Sequence, residues 1–154
     1  MAKIKNGFIF GLGSTLFLLL ISCGTTMNVF DDTIPPERMA MLEIDPTFTV
    51  VTYNGISVDL KTGMGATGFS FPAGRTTLIL NLDTGRSFGD IRYLARDINL
   101  TYTFAAGETY QIMLAFLNRD GQYQASNIGA NTLGLILCQD RKPREALLTI
   151  PLRF

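Results

Sequence analysis

The chain has 154 residues, 47% of them hydrophobic and 17% charged, and its 13 basic side chains balance 13 acidic ones. That is enough for one domain with a real core, and too neutral for a nucleic-acid binder, whose phosphate contacts need a basic excess. Histidine and tryptophan are absent, which excludes serine triads, Cys–His pairs and His-ligated zinc, since each needs an imidazole.

Lys3 and Lys5 form a short positive head, and the next charge is Asp31. Phe8 to Ile21 is the apolar part, about the length of a signal-peptide core and short of the roughly 20 residues needed to span a bilayer. It runs into Leu20-Ile21-Ser22-Cys23-Gly24, with an aliphatic residue three before the cysteine and a small one directly before it. This resembles the lipobox of bacterial lipoproteins. The resemblance implies that the Cys23 thiol receives a diacylglyceryl group, that a lipoprotein signal peptidase cuts between Ser22 and Cys23, and that the new amino group is acylated. No other cofactor is expected. Each buried methylene contributes about 0.8 kcal/mol, so two or three acyl chains on one residue hold a domain on a membrane durably where one binds reversibly. Loss of Lys3 and Lys5 would change the balance of 13 basic and 13 acidic side chains to a net −2. Gly24 stands where well-studied Gram-negative lipoproteins carry the aspartate that retains them in the inner membrane. The resemblance therefore implies a lipid-anchored protein of the outer membrane, facing the periplasm.

The expected organisation is a cleaved signal helix over 1–22, a lipidated tether over 23–38 and a β domain over 39–154. The tether reading comes from Asp31-Asp32 and Pro35-Pro36, which disfavour both a helix and a central strand. From Met39 the pattern has period two, with Ala40, Leu42 and Ile44 on one face. Asn54-Gly55 predicts a type I′ hairpin, because both residues tolerate positive φ. Placed at the tip, it sets Tyr53 opposite Ile56, Val51 opposite Val58 and Thr49 opposite Leu60.

Gly63 to Gly68 contains a literal G-x-G-x-x-G, but the dinucleotide fingerprint must open a helix, and this one runs into Phe69-Ser70-Phe71-Pro72. It is read as a glycine-rich loop. An internal echo follows: Phe71-Pro72-Ala73-Gly74-Arg75-Thr76 and Phe104-Ala105-Ala106-Gly107-Glu108-Thr109 share F-x-A-G-x-T. In each, an aromatic-ended strand stops, an Ala-Gly corner supplies backbone freedom and an alternating strand begins, as though two hairpin units were stacked. Further turns are expected at 83–90, at Arg119-Asp120-Gly121 and from Gln139 to Arg144. Leu133 to Cys138 is an apolar run that reads as a buried strand, with Cys138 as a small core hydrophobe that has no disulfide partner once Cys23 is acylated. The expected fold is all-β, an antiparallel β-sandwich of about seven to nine short strands. The repeated Ala-Gly corner, in two short stretches of the chain, is similar to PEGA-like and transthyretin-like modules of bacterial envelope proteins. That resemblance implies a structural or interaction domain.

Arg86, Arg92 and Arg96 are the candidate ligand-binding residues, since guanidinium forks suit an anionic sugar, a lipid headgroup or peptidoglycan carboxylates. Interleaved Asp90 and Asp97 make a mixed charged surface the plainer reading. Glu43 with Asp45, Asp90 with Asp97, and Glu108 are the carboxylates to weigh for acid–base chemistry, and solvated turns account for them equally. No metal site and no catalytic set are expected, so the protein reads as a non-enzyme. Three roles are open: an anchored envelope domain that contacts another envelope protein or a cell-wall component, a ligand-binding lipoprotein that uses loops 61–69 and 83–96 on envelope glycan or lipid, and a small outer-membrane β-barrel. The last rests on Leu148, Ile150, Leu152 and Phe154, which are similar to a barrel assembly signal. Pro151 and the short strands stand against it.

Overall fold

The computed structural model describes residues 25–28, 34–61, 66–85, 91–126, 132–140 and 142–154. Ser22, Cys23, Arg86, Asp90 and the expected signal helix lie outside them. The described strands are β1 (Thr25–Asn28), β2 (Met39–Ile44), β3 (Phe48–Tyr53), β4 (Ile56–Lys61), β5 (Ala66–Pro72), β6 (Gly74–Asp83), β7 (Leu94–Phe104), β8 (Thr109–Leu117), β9 (Tyr123–Gln124), β10 (Thr132–Gln139) and β11 (Leu148–Pro151). Two short 3-10 turns, Pro36–Arg38 and Pro143–Glu145, complete the described elements.

The strands form two sheets. One has the order β1-β5-β2-β8-β10-β11 with β9 paired to the end of β8, and the other has the order β4-β3-β6-β7. The all-β expectation holds, with more strands than the seven to nine expected. The expectation of wholly antiparallel pairing does not hold, because β1 runs parallel to β5 and β2 parallel to β8. Side-chain alternation has the same period in parallel and antiparallel strands, so only the connections reveal direction. The described strands also do not close into one barrel. Each sheet has two edges, and its apolar side chains point inward to a common core.

Thr25–Asn28 falls within the stretch expected as a tether. Thr25–Asn28 lies on the edge of β5 instead of hanging free, and Arg38 O accepts the Ala73 N–H at 2.9 Å. Thr25-Thr26-Met27-Asn28 is too short a run to show a periodicity, and the partner strand supplies the order.

Ala40, Leu42 and Ile44 of β2, Phe69 and Phe71 of β5, and Leu135 and Leu137 of β10 meet Phe48, Val50, Leu78, Leu80, Leu82 and Leu100 of the other sheet. A gap of about 10 Å³ among Leu42, Val50, Tyr53 and Phe69 is the size of a single water at most. Buried Thr76 hydrogen-bonds the Tyr53 phenol, whose pKa is pushed up by burial. The continuous apolar run in β10 has its own explanation, because both faces of that strand are covered. Ile136 packs outward with Ala115 and Leu117 against Met113, Tyr123 and Ala146. Gly134 makes room there, since a Cβ would lie 2.2 Å from Leu117 Cδ1.

Asn54 and Gly55 have φ of 48° and 81°, as a type I′ tip requires. Asn54 also pins the tip sideways onto β6, its N–H donating to Thr77 O and its Oδ1 accepting the Thr77 N–H, both at 2.8 Å. Tyr53 faces Ile56 as expected, but Val50 rather than Thr49 faces Leu60. A register shift at Val51 exchanges the two faces of β3, so the buried set is Phe48, Val50 and Tyr53.

The two F-x-A-G-x-T stretches are not the bends of stacked hairpins. Each is a corner where the chain changes sheet, β5 to β6 and β7 to β8. Gly74 (φ 132°) pairs with Phe104 across the β6–β7 ladder, which brings the corners together. Phe71 and Phe104 then meet edge to face, with centroids 5.0 Å apart at 90°. Tyr110 packs on Phe104 at 4.9 Å, and its hydroxyl oxygen accepts the Ala105 N–H at 2.9 Å. Such aromatic pairs contribute about 0.5–1.5 kcal/mol beyond the area they bury. Phe104→Ala is expected to lower unfolding free energy by about 3–5 kcal/mol in chemical denaturation. Combined with Phe71→Leu in a double-mutant cycle, it should show a coupling of about 0.5–1.5 kcal/mol.

Candidate functional site

The chain direction gives the molecule two distinct ends. Thr25, Ala66, Asp83 and Leu94 lie at one of them, because β1 and β5 start there, β6 finishes there and β7 begins opposite Asp83. We term this the base. The two Ala-Gly corners and the Asn54-Gly55 tip lie at the other end.

Arg92 is at the base, at the neck of the loop that joins β6 to β7. Its Nε donates to Asp83 Oδ1 at 2.7 Å and its Nη2 donates to Asp83 Oδ2. The Gly85 N–H adds a third bond to Asp83, and just inside this pair Tyr93 N–H donates to Thr84 Oγ1, both at 2.9 Å. A buried threonine and a two-pronged ion pair thus close the loop at its stem. The Arg92 fork that suited an external carboxylate is taken by a carboxylate of its own chain.

Arg96 projects from the exposed start of β7, beside a second register shift. There Asp97 takes a φ of 55° and its N–H donates to Asn81 Oδ1 at 3.1 Å. Arg92 and Arg96 therefore share a region without converging on one point. The glycine-rich stretch ends in β5, and Gly68 has a packing role: a Cβ there would meet Leu42 O of β2 at 2.7 Å. Residues 62–65 of that stretch lie outside the described residues.

The candidate carboxylates have local uses. Asp45 Oδ1 accepts the Thr47 N–H at 2.9 Å and the Thr47 hydroxyl at 2.7 Å, capping the crossing from β2 to β3. Glu108 accepts the Gln139 side-chain amide. Among the described residues no three His, Cys, Asp or Glu side chains gather as metal ligands would. Cys138 is fully buried, and burial raises its thiol pKa, which removes thiolate character. At the corner end, Ile34, Pro36, Met39, Met41 and Gly107 line an open cleft of about 280 Å³.

Arg92 and the Gly85 amide hold the Asp83 carboxyl at about 2. A lowered folded-state value means that the stem's contribution is complete above the unfolded value of about 4 and disappears as pH falls through the folded one. An NMR titration of the Asp83 side-chain carbonyl is expected to give a midpoint near about 2 in the wild type. Arg92→Ala should return it towards the ordinary value of about 3.9. No family model, curated protein or solved structure matches this chain.

Proposed function

We propose that this chain is a lipid-anchored protein of the bacterial envelope, acylated on Cys23 after removal of residues 1–22. Its β-sandwich acts as a structural or protein-interaction domain at the membrane surface, most simply the periplasmic face of the outer membrane. The observation that carries the reading is the join between motif and fold. The lipobox cysteine of Leu20-Ile21-Ser22-Cys23 stands two residues before Thr25, where β1 begins. A chain cut before Cys23 thus keeps every described strand, and the cut would remove the charged head and the apolar run. Acyl chains on that residue bind the bilayer far more firmly than one chain alone.

A recognition role for loops 61–69 and 83–96 draws less support from the geometry, since Arg92 is committed to Asp83. The corners where the chain changes sheet fit a module built for rigidity, in keeping with the PEGA-like and transthyretin-like resemblance, and the partner would be another envelope protein or a cell-wall component.

Metabolic labelling with a fatty-acid analogue should mark the wild type and leave Cys23→Ala unlabelled. The intact mass of the native N-terminal peptide should begin at Cys23 and carry two or three acyl chains. Persistent labelling of Cys23→Ala would refute the reading.

A further inference from the structure

Six large apolar side chains are exposed among the described residues, and three of them gather at the base: Ile91, Leu94 and Phe154, at 58%, 52% and 58%. Ile91 is two positions before Tyr93, Leu94 follows it, and the Phe154 ring packs tilted against the Tyr93 ring, with centroids 4.9 Å apart at 57°. Exposed Arg96 and Arg153 flank them, giving the mix of bulky apolar groups and long cations that suits the headgroup–acyl boundary. The closed stem of Asp83 with Arg92 and Thr84 with Tyr93 fixes the backbone that presents Ile91 and Leu94.

The base is also the end at which the chain leaves towards Cys23. Only Gly24 separates Cys23 from Thr25, so the Cα of an anchored Cys23 would lie within about 7 Å of the start of β1 along the chain. Thr25 is on one outer strand of the six-strand path, and Phe154 follows the opposite outer strand, β11. Five interstrand steps of about 4.8 Å place these corners roughly 24 Å apart. We infer that the base is a bilayer-contacting face: the lipid on Cys23 holds the β1 corner, and Ile91, Leu94 and Phe154 enter the interfacial region of the same membrane at the opposite corner. One attachment leaves the domain free to tilt. A second one across the base fixes its orientation and directs the Asn54-Gly55 tip and the cleft at the corners away from the lipid. The inference rests on acylation of Cys23.

The chain has no tryptophan, so an introduced indole reports from one place. The full chain is expressed with its lipid as Phe154→Trp, Leu94→Trp or, at the far end, Ile56→Trp, and reconstituted in phosphatidylethanolamine–phosphatidylglycerol vesicles with or without bromine on the acyl chains. Circular dichroism confirms folding, and the paired base positions guard against one variant that fails. At least two-fold quenching by brominated lipid is expected at positions 154 and 94, and none at 56. Absent quenching at both base positions, with the acyl mass present on Cys23, would overturn the docking and leave the lipoprotein reading standing. A bare thiol on Cys23 would overturn both. A blue shift at position 154 that grows with protein concentration in detergent, without quenching in vesicles, would assign the face to a second copy and overturn it too.

Discussion

Phe71 and Phe104 stand at the ends of strands that belong to different sheets, and each leads directly into a corner where the backbone crosses to the other sheet. Their edge-to-face contact ties the crossings to each other, and Tyr110 and Tyr102 extend the cluster on both sides of Phe104. Much of the topology follows. The second corner delivers β8 into its sheet from the same end at which β2 enters, and Gly107 N–H donates to Met39 O at 2.8 Å where the two start. Both strands then run towards the base, so their pairing has to be parallel. A mixed sheet here is a consequence of where the corners meet.

The sequence made some of this legible because the signal was local. Asn54-Gly55 demands a particular pair of backbone angles, and the alternation in β2 and β6 survives folding unchanged: Ala40, Leu42 and Ile44, and Leu78, Leu80 and Leu82, are all buried. The F-x-A-G-x-T echo was visible as a repeat, and its glycines as points of freedom. That the two phenylalanines touch was not visible, because it depends on Gly74 pairing with Phe104 thirty residues on. Register was lost wherever an extra residue enters a strand. One shift at Val51 moves the buried face of β3 from Val51 to Val50, and no property of Val-Val announces which will turn inward.

The candidate site was legible as composition and not as geometry. Arginines and aspartates interleaved over 83–97 suggested a mixed charged surface, and Arg92 with Asp83 is an instance of it. Their separation of nine positions carries no helical or strand-pair rule, so the closed stem could only come from the fold. The apolar residues around Tyr93 were hidden for a related reason. Phe154 lies sixty positions beyond Leu94, and Ile91, Leu94 and Phe154 are each alone an unremarkable exposed hydrophobe.

How the anchor joins the domain decides what such a surface can do. If residues 23–38 were a free tether, the base would wander about 20–24 Å from the lipid, taking roughly 5–6 Å times the square root of the number of flexible residues. With β1 laid on β5, only Gly24 intervenes between Cys23 and the sheet. The second contact then becomes an intramolecular event at high effective concentration, so side chains too few to bind a bilayer from solution suffice once the first attachment is made. If Cys23 is acylated as proposed, four residues of parallel pairing at a sheet edge are thereby the part of the fold that would turn a flexible leash into a fixed stance.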